Sequence, residues 1–84
     1  MMYYLLICRS MTNAQQTARV LERVGITAVV TRIPQEISIE GCGYCVKVSA
    51  KNYINSLTVL KDAGFSPKRV FAQYPDGNYA EVGV

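Results

Sequence analysis

Apolar and polar positions follow two different periods along this chain, and the switches between them mark its elements. Residues 3–8, YYLLIC, form a continuous apolar run closed by the polar RSMTN, as expected of a strand buried on both faces. From Asn13 to Val24 the apolar and small positions Ala14, Ala18, Leu21 and Val24, with Thr17 among them, recur at spacings of three and four, which predicts a helix. Ser10 or Thr12 can cap its start, and Gly25 supplies a left-handed stop. ITAVVTRI, Ile26 to Ile33, is rich in β-branched residues and ends at Pro34, so it reads as a second strand. QEISIEGCG is a loop, and YCVKVS a third strand that alternates Tyr44, Val46 and Val48 against Cys45, Lys47 and Ser49. Residues 51–63 return to the helical period through Tyr53, Leu57 and Leu60 and close at Gly64. RVFAQY, Arg69 to Tyr74, is a fourth strand. PDGN then turns the chain, and within residues 74–84 YAEVGV is a possible edge strand.

The order βαββαβ within a single domain, residues 1–84, predicts an α+β fold of the ferredoxin-like kind. Its expected form is an antiparallel four-stranded sheet with two helices on one face. Strand directions in that topology bring the end of strand 1, the start of helix 1 and the loop after strand 2 to one rim. Cys8, Arg9, Ser10, Arg32, Cys42 and Cys45 should converge there, with Lys68 and Arg69 from the start of strand 4. Strands 1 and 4 are apolar on both sides, so the helix-free face should be covered, and a homo-oligomer packed through it is the expectation.

Composition narrows the chemistry. The chain is 50% hydrophobic and 18% charged, too apolar for disorder. A net charge of +3 permits an anionic ligand but lacks the dense basic patch of a nucleic-acid protein. MMYYLLICRS has no basic start and too short an apolar run to span a membrane, and three cysteines cannot close a disulfide framework. Both point to a cytoplasmic protein with reduced thiols. The chemistry-bearing stretch is GCGYC, Gly41 to Cys45. A thiolate is the reactive form of cysteine, and cations or a helix N-terminus favour it. Arg9, Ser10, Thr12 and Arg32 are the candidate anion-binding residues around such a thiolate, and Gly41 and Gly43 let backbone approach a bound group.

Several alternatives compete with a thiol site. Cysteine is often simply a small buried hydrophobe. A thioredoxin-like C-x-x-C precedes a helix, whereas this pair leads into a strand, although thiol–disulfide exchange stays possible. Cys8, Cys42 and Cys45 could form a soft-metal set for Cu(I) or zinc, but with no histidine a carboxylate such as Glu36 or Glu40 would have to complete it. An RRM-like RNA-binding module carries stacking aromatics on its third strand, where this chain has Cys42 and Lys47. Nothing resembles a Ser/His/Asp site, a phosphate loop or a paired-carboxylate hydrolase, which favours a non-enzymatic carrier or binding protein.

The strand-1 exit CRSMTNA, the helix ending LERVGI and above all RIPQEISIEGCG resemble the selenium/sulfur carrier-like family over roughly residues 3–72. Pro34, Glu36, Ile37, Ser38, Cys42 and Gly43 carry the resemblance, with Ser10 and Ala14 at the helix entry. The resemblance implies that Cys42 is the carrier thiol for a persulfide- or selenide-type species. It makes Pro34, Glu36, Ser38, Gly41 and Gly43 shape the loop around it. Sulfur- or selenium-donor and acceptor proteins are the implied partners, and no bound cofactor is implied. Gln35 stands where a basic residue is frequent, and Cys45 is an additional thiol that could resolve a persulfide.

Overall fold

The computed structural model describes residues 2–37 and 43–82. The chain runs β1 (Tyr3–Ile7), α1 (Met11–Arg23), β2 (Val29–Arg32), β3 (Tyr44–Ser49), α2 (Tyr53–Asp62), β4 (Arg69–Gln73) and β5 (Tyr79–Val82). Short 3₁₀ turns, Gln35–Ile37 and Ala50–Asn52, precede β3 and α2. The strands form one antiparallel sheet in the order β2-β3-β1-β4-β5. The fold is thus α+β with two helices, but the sheet has five strands where the sequence pattern predicted four. The reason is the PDGN turn. Gly77 takes φ +91°, Asp76 accepts from the Asn78 amide at 3.0 Å, and the Tyr74 N–H reaches the Asn78 carbonyl at 2.9 Å. That hairpin returns β5 onto β4, where Glu81 receives two hydrogen bonds from the Arg69 guanidinium, at 2.6 and 2.5 Å. Hydrogen bonding to Arg69 holds the Glu81 carboxyl below its ordinary range.

Both helices end in the same device. After α1, Ile26 N–H bonds the Leu21 carbonyl and Gly25 N–H the Glu22 carbonyl; after α2, Phe65 bonds Leu60 and Gly64 bonds Lys61. Gly25 and Gly64 each sit at φ +83°, the left-handed residue that this motif needs. Ile26 and Phe65 then fold back beside Leu21 and Leu60 in the core. This fold-back removes residues 26–28 from the sheet, so β2 starts three residues later than its β-branched run suggested. At the other end of α1, Ser10 accepts from the Asn13 N–H at 3.1 Å and is the cap, which starts the helix at Met11.

The helices cover one sheet face. Leu6 and Cys8 of the β1 segment, Val46 and Val48 of β3 and Val70 of β4 pack there with Ala14, Ala18 and Leu21 of α1 and Tyr53 and Leu60 of α2. The opposite face has no helix, yet Leu5, Ile7, Cys45 and Phe71 are also buried on it. Ile33 and Ile37 of the β2–β3 connection and Tyr79 of β5 pack against them. This departs from the premise of an open apolar face, because burial of these four side chains needs no second copy.

Tyr53, the first residue of α2, stacks on Tyr4 of β1 with ring centroids 3.8 Å apart and planes within 4°. Burial, and then the neighbouring Tyr4, push the Tyr53 phenol above its ordinary value. A raised folded pKa means that the stabilising contribution is complete below the unfolded value of about 10 and is lost as pH rises through the folded value. The urea midpoint should therefore fall from about pH 10 upward, and Tyr53→Phe should flatten that fall while leaving the neutral-pH midpoint nearly unchanged. An identical alkaline profile in the variant would remove Tyr53 as its source.

Candidate functional site

Four strand ends meet at one rim, and the backbone register fixes them. Thr31 of β2 pairs with Cys45 of β3, Cys45 with Ile7 of β1, and Ile7 with Arg69 of β4. One step further out, Ile33 N–H bonds the Gly43 carbonyl at 3.0 Å, Cys8 N–H bonds the Tyr44 carbonyl at 3.2 Å, and Lys68 N–H bonds the Ile7 carbonyl at 2.9 Å. The start of α1 follows directly from Cys8. Ala14, fully buried, sits among the side chains of the helix-side cluster, which include Cys8. Main-chain hydrogen bonds therefore bring the described ends of β1, β2, β3 and β4 to one rim.

Its side chains divide by parity. Cys8 faces the helices and its Sγ donates to the Leu6 carbonyl at 3.4 Å, whereas Cys45 faces the helix-free side beside Leu5, Ile7 and Phe71. Their exposures are 2% and 0%. The two thiols thus belong to cores on opposite faces of the sheet, so Cys8 and Cys45 of the suggested soft-metal set do not share a face. Among the described residues no three Cys, Asp, Glu or His side chains are grouped as metal ligands. Cys42, Ser38, Glu40 and Gly41 lie outside the described residues.

The cations separate as well. Arg9, Arg32 and Lys68 are exposed at the rim, and the Arg32 guanidinium lies 5.5 Å from the centre of the Tyr44 ring. Arg69 is committed to Glu81, a pairing that raises its own pKa further, and it also lies over the Phe71 ring at 5.2 Å. Thr12 is exposed in the first turn of α1, where Ser10 already caps the helix. Beside Arg9 a cleft of about 340 Å³ opens between α1 and the α2–β4 connection, lined by Arg9, Asn13, Gly64, Phe65 and Ser66. Sequence reading missed both this cleft and the Arg69–Glu81 pair. The acid lies twelve positions beyond its partner, on a strand that had no firm prediction.

The loop motif has a partial structural account. Ile37 N–H bonds the Pro34 carbonyl at 3.1 Å, closing a 3₁₀ turn that leaves Glu36 exposed and half-buries Ile37 beside the Cys45 cluster. Gly43 is different. Its φ is not in the left-handed region, and a Cβ built on it would meet nothing within 4 Å. Among the described residues, packing and backbone conformation place no demand for glycine there.

Among the described residues no helix is long and apolar enough to cross a membrane. Comparison with curated proteins and with solved structures returned no significant match. A family model described as "Putative Se/S carrier protein-like" matches residues 3–72. That span takes in β1 to β3, both helices and all but the last residue of β4, and the chain belongs to this selenium/sulfur carrier-like family.

Proposed function

We propose that this protein carries a sulfur or selenium species on Cys42, on a ferredoxin-like βαββαβ frame extended by β5, in a reducing cytoplasmic setting. The observation that carries this reading is the family match over residues 3–72, a span in which Cys42 stands in the sequence between β2 and β3. Two features support it. Exposed Arg9, Arg32 and Lys68 favour an anion such as a persulfide at this end of the sheet. Gly43, which follows Cys42, has no described residue within 4 Å of the position of a Cβ, which leaves its backbone open to a bound group or partner on that side.

Loading requires only thiol exchange. The Cys42 thiolate attacks the outer sulfur of a persulfide on a donor protein, the S–S bond of the donor breaks, and the donor leaves as a thiolate. Cys42 then carries the transferred sulfur as a persulfide anion until an acceptor nucleophile removes it. Cys45 supplies a second exit. Its thiolate can attack the inner sulfur of the Cys42 persulfide, releasing hydrosulfide and leaving a Cys42–Cys45 disulfide for a thiol reductant to reopen. Because Cys45 is fully buried beside Ile33 and Ile37, that exit requires this cover to lift, which favours storage over spontaneous release.

Intact-mass spectrometry after anaerobic incubation with a low-molecular-weight persulfide tests the loading step. An adduct of about 32 Da per sulfur, or about 79 Da after loading from a selenylsulfide (R–S–SeH) donor whose thiolate leaves, should form on the wild type and on Cys45→Ser but not on Cys42→Ser. An adduct that survives Cys42→Ser, or none on the wild type, overturns the assignment. The cover over Cys45 is tested separately in a Cys8→Ala/Cys42→Ser background, where Cys45 is the one remaining thiol. Ile37→Ala should cost about 1–2 kcal/mol, less than the about 2–5 kcal/mol of a fully buried isoleucine because Ile37 is half-buried. It should also speed Cys45 alkylation more than Val48→Ala, which truncates the helix-side core. Equal acceleration at matched urea midpoints would mean that Cys45 is reached only by global unfolding.

A further inference from the structure

The helix-free face carries a second concavity at the corner farthest from the rim. It has a volume of about 410 Å³ and is lined by Tyr3, Thr27, Val29, Lys47, Ser49 and Lys51. Its floor is fixed by the ladder. Tyr3 pairs with Ser49, Val29 and Leu5 both pair with Lys47, and Ala50 N–H bonds the Met2 carbonyl at 3.1 Å, which ties the turn carrying Lys51 to the start of β1. The Lys47 ammonium lies 4.2 Å from the centre of the Tyr3 ring. Among the described residues neither Lys47 nor Lys51 has a carboxylate within ion-pair distance. Val29, 52% exposed, forms an apolar wall of the concavity.

These groups make a coherent recognition set. Two ammoniums supply charge without the planar fork of an arginine, which suits a phosphate or similar compact anion addressed as a point charge. Ser49 and Thr27 add hydroxyl donors. The Tyr3 ring and Val29 offer an aromatic face and an aliphatic wall for a flat apolar body. The volume falls in the range of small-molecule sites, which are commonly apolar concavities with a few convergent polar groups. A lysine held over a tyrosine ring is also already partly desolvated on one side, so less solvation remains to be lost when an anion arrives.

We propose that this corner is a binding site for a small organic anion with an aromatic or flat apolar body, held by Lys47 and Lys51 and stacked against Tyr3. The site runs along β1 from Lys47, opposite Leu5 and about 7 Å from Ile7 at the rim, to Tyr3, about 13 Å from it, at strand rise. It uses no cysteine and no residue of the family's loop motif, so it stands or falls independently of the carrier reading.

Phenyl phosphate titrated into the full-length protein, followed by amide chemical shifts, tests the proposal. Saturable shifts should appear at residues 3, 27, 29, 47, 49 and 51 and spare the rim. Inorganic phosphate and phenol should each bind at least about tenfold more weakly, because each offers one half of the recognition set. Lys47→Met/Lys51→Met, which keeps the aliphatic stems, should weaken phenyl phosphate at least about tenfold with an unchanged urea midpoint. Shifts centred on Arg9 or Arg32, affinity for inorganic phosphate equal to that for phenyl phosphate, no saturable shifts, or an unaltered affinity in the double variant would each overturn it. Should the double variant unfold, Tyr3→Leu replaces it, with loss of the aromatic preference as the required result.

Discussion

Strand β1 is apolar on both sides and lies in the middle of the sheet, with β3 on one edge and β4 on the other. A strand of this kind must be covered twice, since each side chain of its size left in water forfeits about 1.5–3 kcal/mol. Most of the architecture answers that demand. The helices cover Leu6 and Cys8, and both are clamped over the sheet by glycine-terminated ends that turn Ile26 and Phe65 back into the same core. Leu5 and Ile7 face the other way and are covered by Ile33, Ile37 and Tyr79, all outside the helices. The first cover is regular secondary structure. The second is largely loop, part of the same β2–β3 connection in which Cys42 stands in the sequence.

That difference bears on function. Opening the helix side would expose a large apolar core and amounts to unfolding, whereas lifting Ile33 and Ile37 exposes a cluster of four buried side chains, one of them Cys45. Local opening is drawn from regions with the fewest buried contacts. A thiol placed under a loop, and not under a helix, can therefore be kept inert and released by motion of a few residues. Cys8 lacks this option because its cover is α1 itself.

The elements that set the rim were readable because their signals are local. Helix periods, glycine stops and β-branched runs need no knowledge of distant residues, and antiparallel connectivity then places the strand ends together. Three features were less legible for the opposite reason. β5 reads only as a possible edge strand, because it is four residues long and is held partly by the Arg69–Glu81 pair, a contact invisible until the hairpin closes. The cover by Ile33 and Ile37 follows neither a period of two nor one of 3.6. The separation of Cys8 from Cys45 depends on register: each strand's alternation is plain alone, but which faces coincide is fixed only once Ile7 is known to lie opposite Cys45. The soft-metal trio looked possible because convergence at a rim was read without parity across the sheet.

The cations show a similar division of labour along the helix-free and rim sides. Lys47 and Lys51 occupy one corner, Arg9, Arg32 and Lys68 the opposite end, and Arg69 between β1 and β5 is neutralised by Glu81. Over about 7 to 13 Å, two unit charges in water interact by only about 0.3 to 0.6 kcal/mol before screening by salt. An anion in the corner would therefore have little direct electrostatic effect on a charge at the rim. Coupling between the two ends would have to pass through β1 and β3, which are paired along their whole length with both faces of β1 packed. A ladder held in that way has no second register at comparable energy, because a slip of one residue would turn each buried side chain to the wrong face. The physics favours two independent sites on one rigid sheet, with the loop over Cys45 as the part free to respond to a partner.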